Sequence, residues 1–174
     1  MEFHAEALTK ARVLNDKHNI ISTVLSLGQV NARQGDVATA LSYFATSLRL
    51  ARDVSDRHNE LESLRHIGSM YLERREYDRA IHYLRQALEL ANELGAKEDE
   101  VSAFEFLSIC YEEVEDYQSA LTAFKHAVDL RNHILDREKE KLVSVMEVRF
   151  NVERAARDRE IYRLRNVELA EAIA

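Results

Sequence analysis

The chain has 174 residues, with 24 Lys+Arg against 31 Asp+Glu for a formal charge of −7, four glycines, one cysteine, no proline and no tryptophan. Half of it is Ala, Glu, Leu, Lys and Arg, which points to an all-α protein. The same composition argues against a strand-rich fold with many tight turns, a glycine-rich phosphate loop and an intramolecular disulfide, and the acidic balance argues against a phosphate-backbone partner.

In chain order, the segment 1–16 reads as a lone second helix, because Phe3-His4-Ala5-Glu6-Ala7-Leu8 matches Tyr83-Leu84-Arg85-Gln86-Ala87-Leu88 further on. Its first helix is missing, so a truncated array with further repeats upstream is expected. Three units follow at a shift of forty residues, 17–56, 57–96 and 97–136. Gly28, Gly68 and Ser108 recur in register, as do Ala40, Ala80 and Ala120, and Phe44, Leu84 and Phe124. The junction Asp16-Lys17-His18-Asn19 returns as Asp56-Arg57-His58-Asn59, Ala96-Lys97-Glu98-Asp99 and Asp136-Arg137-Glu138-Lys139. Each unit carries a turn signal, at Gln34-Gly35-Asp36, Arg75-Glu76-Tyr77-Asp78 and Val114-Glu115-Asp116-Tyr117, which makes it a helix hairpin. Small residues on both helices are expected to face each other, Gly28 against Ala40 and Gly68 against Ala80, letting the backbones close up.

Leu27-Gly28, Ile67-Gly68-x-x-Tyr71 and Leu107-Ser108-x-x-Tyr111, each followed twelve positions after the small residue by Ala-x3-Phe or Ala-x3-Leu, resemble tetratricopeptide repeats over roughly residues 1–135. The resemblance implies a right-handed α-solenoid that holds a protein or peptide in its concave groove. Val24, Leu64 and Phe104 stand where that family usually has tryptophan, Asn31 replaces a tyrosine and no closing proline is present, so longer helices and softer junctions are expected. Mapping the family's groove onto this chain gives Gln29 and Arg33, then Glu62, Arg65, Ser69 and Glu73, then Glu105, Ile109, Glu112 and Glu113. Lys97–Ala120 carries eight acidic residues against Lys97 alone, which would steer a basic partner there; a merely solvated acidic face is the alternative. Where family members gripping chaperone tails have Lys and Asn, Leu25 and Gln29 stand, so a chaperone adaptor is disfavoured.

After Asp136 the hairpin pattern stops: Val148 takes the small position and Glu160 the alanine position. One long helix over 137–174 is expected. Val145, Val148, Val152, Ala155, Arg159, Tyr162, Asn166, Leu169 and Ile173 follow strict 3-4 spacing, a coiled-coil seam for a parallel homodimer with Asn166 setting the register. The rival stripe through Met146 and Phe150 is less apolar, and those two residues could fold back on Phe124, Val128 and Ile134. A tail that only caps the array is the alternative to a stalk. Glu147-x-Arg149-Phe150-x-x-Glu153 and Arg159-Glu160-Ile161-x-x-Leu164-Arg165-Asn166-x-Glu168-Leu169 are similar to the linker helix after tetratricopeptide sensor arrays in bacterial signalling proteins, which implies an output domain beyond residue 174.

No constellation reads as catalytic. Glu112 and Glu113 are adjacent on a helix and point apart; Cys110 has no partner pattern for a nucleophile and reads as a buried thiol. His126, Asp129 and His133 share a helical face, but the counterparts of His126 are Thr46 and Gln86, so that face reads as variable and solvated. No cofactor, metal or enzymatic activity is expected. His18 and His58 are assigned to the junctions. Without a basic-then-apolar leader or an apolar run of roughly 18 residues, the expected setting is cytoplasmic and away from membranes.

Overall fold

Gly35, Ser55, Arg75, Gly95 and Glu115 all have positive φ, between 58° and 78°. The computed structural model, which describes residues 17–173, is thus punctuated every twenty residues by a left-handed position. Between these stops run α1 (Lys17–Arg33), α2 (Val37–Asp53), α3 (Arg57–Glu73), α4 (Tyr77–Leu94) and α5 (Lys97–Glu113), followed by α6 (Tyr117–Ile173). The forty-residue period is therefore a twenty-residue step taken twice, a helix of 17 or 18 residues and a short link each time. No strand occurs among the described residues.

Caps explain where the helices begin. The Asp36, Asp56 and Asp116 carboxylates accept the backbone N–H three residues on, from Thr39, Asn59 and Ser119, each at 3.1 Å, satisfying a donor that a first helical turn leaves free. Hydrogen bonds from the Thr39 and Ser119 side chains, and then these backbone bonds, hold the Asp36 and Asp116 carboxyls below the usual carboxylate range. Asp56 is also pulled down: burial pushes it up, but bonds from Asn59 and His18 outweigh that. His18 Nδ1 lies 2.7 Å from Asp56 Oδ2, so one junction is tied to the next.

The small positions work differently from the small-against-small expectation. A Cβ on Gly28 would come within 2.5 Å of the Phe44 ring, and one on Gly68 within 2.7 Å of Leu84. The large residue of the second helix, rather than the alanine four positions earlier, presses into the glycine gap. Phe44, Leu84, Ala40 and Ala80 are wholly buried. One core runs through Leu25, Phe44, Leu61, Leu64, Ile67 and Leu90, and a second through Leu84, Leu107, Cys110 and Ala123. Between α2 and α3 the Ser63 hydroxyl meets Ser47 at 2.9 Å, so this buried polar pair is satisfied.

Within α1–α5 each helix packs on the next in chain order, and the backbones of the first helices α1, α3 and α5 also approach closely in succession, while α2 and α4 stand further apart and are bridged by the Arg52–Gln86 side-chain bond at 3.1 Å. A stack tight along its first helices and wider along its second is an α-solenoid.

The junction expected at Asp136-Arg137-Glu138-Lys139 does not form; α6 runs through it as unbroken helix. The position equivalent to Ser55 and Gly95 is Leu135, which continues the helix where Arg75 and Glu115, helix formers too, take left-handed φ. By contacts the chain divides between Arg131 and Asn132. In the second unit Ile134 is half-buried, and every other described side chain is exposed. Met146 and Phe150, candidates for folding back, stand 62% and 64% exposed. The half repeat 1–16 lies outside the described residues.

Candidate protein-interaction surface

The first helices carry the residues assigned to the groove. On α1, Gln29 is half-buried and Arg33 is exposed in the last turn. On α3, Glu62, Arg65 and Ser69 are half-buried and Glu73 exposed; on α5, Glu105 is half-buried, while Ile109, Glu112 and Glu113 are exposed.

The structure joins α1 to α3 through a residue that sequence reasoning passed over. Gln29 Nε2 donates to His66 Nε2 at 3.0 Å, and the His66 ring stacks on Phe44 with centroids 4.8 Å apart and planes 8° from parallel. Burial, aided by the Arg65 guanidinium, pushes the His66 pKa down to about 4, so it stands neutral here and accepts from Gln29. The equivalents of His66 are Ser26 and Phe106; a position that varies this widely gives the repeat pattern nothing to flag. Ser69 donates to the His66 carbonyl at 2.9 Å. Arg65 then links α3 to α5, with Nε 3.4 Å from Asp99 Oδ1 and a terminal nitrogen 3.8 Å from Glu62. That Nε, buried and without a well-angled hydrogen bond, is held by charge alone.

The acidic third repeat is less free than its composition suggests. Glu100 is buried and takes Lys97 at 2.6 Å, Asp99 faces Arg65, Glu105 pairs with Arg131, Glu113 accepts the Tyr77 hydroxyl at 2.7 Å and Asp116 caps α6. Glu98, Glu112 and Glu115 are exposed. Ile109, one turn before Glu112, is 44% exposed, the apolar element of an otherwise polar lining.

Of the helical seam, Val145, Val148, Val152 and Tyr162 are all more than three-fifths exposed, and Ala155 and Asn166 are exposed too. The side chains of Leu169 and Ile173 lie outside the described ones. The Cys110 thiol is fully buried, and burial raises its pKa to about 11, which suppresses the thiolate a nucleophile needs. The His126 ring stacks on Phe104 at 5.1 Å. Among the described residues no three of His, Cys, Asp and Glu are grouped to hold a metal, and no helix is long and apolar enough to cross a membrane.

Helix hairpins stacked with their first helices in succession define a solenoid of the protein-binding kind. A family model described as tetratricopeptide repeat matches residues 19–93 and 76–133; the chain belongs to the tetratricopeptide repeat family, whose members serve as protein-interaction modules and are generally non-catalytic. Among solved structures, the chain is similar to BtubC (BKLC) from P. vanneervenii, with a TM-score of 0.71 and 19% identity over 76% of this chain. It spans only 54% of that protein. It is also similar to the TPR domain of Arabidopsis FLU, with a TM-score of 0.64 and 20% identity, covering 67% of this chain and 98% of that one. At such identities the likeness concerns the fold. No curated protein matches the sequence.

Proposed function

We propose that residues 1–136 act as a binding array and residues 137–174 as a linker helix through which two copies pair. The observation that carries this reading is the row Val145, Val148 and Val152, each at least 62% exposed on a helix that continues from the array without a break. A lone helix cannot bury its own apolar stripe, and β-branched residues at alternate seam positions suit a two-stranded coil. The first-helix lining, Gln29, Arg33, Glu62, Arg65, Ser69, Glu73, Glu105, Ile109, Glu112 and Glu113, then receives a protein or peptide segment. Glu112, exposed beside Ile109, favours a segment pairing a basic side chain with an apolar one. In this reading the helix passes a ligand-dependent change in the array to an output domain beyond residue 174, as the linker resemblance implies.

Sedimentation tests the pairing. The chain at tens of micromolar should run as a dimer, and Val145→Glu with Val152→Glu should run as a monomer with unchanged helicity, because both side chains are exposed in the single chain and the substitutions place like charges across the seam. A monomeric parent chain removes the stalk and leaves a free-standing scaffold.

A further inference from the structure

The repeats disagree at a place where the first two agree. Tyr43 and Tyr83 immediately precede Phe44 and Leu84, whereas Ala123 precedes Phe124. In the second repeat Tyr83 stacks on Tyr71 of α3, centroids 5.6 Å apart and planes 14° from parallel, and the Arg79 guanidinium lies 5.5 Å from the centre of the Tyr71 ring. Forty residues on, Tyr111 keeps the place of Tyr71, but Ala123 stands for Tyr83 and Ser119 for Arg79. The volume those two side chains would fill is left as a cavity of about 330 Å³, with Leu88, Phe104, Tyr111 and Ala123 in its wall. That is near the lower end of the range for ligand sites, suited to one ring rather than an extended molecule.

The wall is held in place. Arg85 Nε donates to the Tyr111 hydroxyl at 2.9 Å, with its guanidinium 5.7 Å from the ring centre, and the stacked Phe104–His126 pair forms another side. A ring fixed by its own hydroxyl is a preorganised stacking platform, so an incoming aromatic group loses little to rearrangement.

We propose that this cavity binds an aromatic side chain of a partner protein, tyrosine or phenylalanine, which stacks on Tyr111 as Tyr83 stacks on Tyr71. The site is separate from the first-helix lining and does not rest on it. Phe104, Leu107 and Tyr111 recur at i, i+3 and i+7, and Glu105, Ile109 and Glu112 occupy the other side of α5. The chain thus carries the template for its ligand one repeat upstream.

The test is a methyl-resolved NMR titration of the full chain with phenol, with N-acetyl-tyrosinamide and with N-acetyl-alaninamide. Phenol and the tyrosine amide should give saturable ring-current shifts at the Ala123, Thr122 and Leu88 methyls in the millimolar range, and the alanine amide none. Ala123→Tyr supplies the ring from within, so it should raise the Tm and weaken both aromatic probes at least tenfold. Ala123→Leu, a smaller filling, should weaken them too if the tyrosine variant fails to fold. Absent or surface-wide shifts, or shifts unchanged in the filled variants, overturn the site. Binding of phenol without the tyrosine amide overturns a polypeptide side chain as its occupant.

Discussion

Three of the five left-handed stops are not glycine. Ser55, Arg75 and Glu115 hold φ near 60°, a region that costs an L-residue roughly 1–2 kcal/mol, yet each ends a helix where Gly35 and Gly95 do so freely. Ser55→Gly should therefore stabilise the chain by about 0.5–1 kcal/mol, the relieved strain being partly offset by glycine's larger entropy loss; urea denaturation would read it as a higher midpoint at unchanged slope. His66 supplies a pH dependence. Its folded pKa of about 4 lies below the ordinary 6.5, so the unfolded chain binds the extra proton first. The stability tied to its neutral form is complete above about pH 6.5 and is lost as pH falls toward 4, a loss on the order of 3 kcal/mol in all. His66→Phe keeps a ring against Phe44 but cannot titrate. The stability difference between parent and variant should change over that window, and a constant difference would rule out a neutral buried His66.

At the scale of the element, the chain turns at four stop positions after Gly35 and continues at the fifth. Leu135 occupies that position, and α6 runs 57 residues straight through it. Leu135→Gly restores the residue found at Gly95 and lowers local helix propensity by about 1 kcal/mol. Amide exchange at residues 135–139 should quicken selectively while α1–α5 keep their protection. The forty-residue shift made those junction residues look equivalent to Asp56–Asn59, because side-chain recurrence does not report which φ a residue tolerates. The hairpins themselves were legible: turn signals at Gly35, Glu76 and Glu115 fall in the links between helices, and the forty-residue register survives in the stacking of α1, α3 and α5.

For the whole molecule, stability is a sum of repeats and their neighbouring interfaces. Gly28→Ala puts a methyl within 2.5 Å of Phe44 and should cost about 1–3 kcal/mol. Because contacts run only between successive hairpins, exchange protection should fall most in α1 and α2 and least in α5. Equal loss throughout would mean that the array unfolds as a single unit. In the third hairpin Phe124, equivalent to the wholly buried Phe44, is 56% exposed.

The sequence by itself determined the all-α class, the forty-residue hairpin unit, its family and the positions of its links as far as Tyr117, since spacing and turn chemistry are local properties written along the chain. Tertiary structure alone decided that large residues rather than alanines fill the glycine gaps, that His66 ties α1 to α3, that most of the third repeat's acids are spoken for, and that Tyr111 faces a cavity where Tyr71 faces a ring. These depend on which side chains from distant positions share a volume, and a periodic pattern lists the candidates for contact without saying which of them meet.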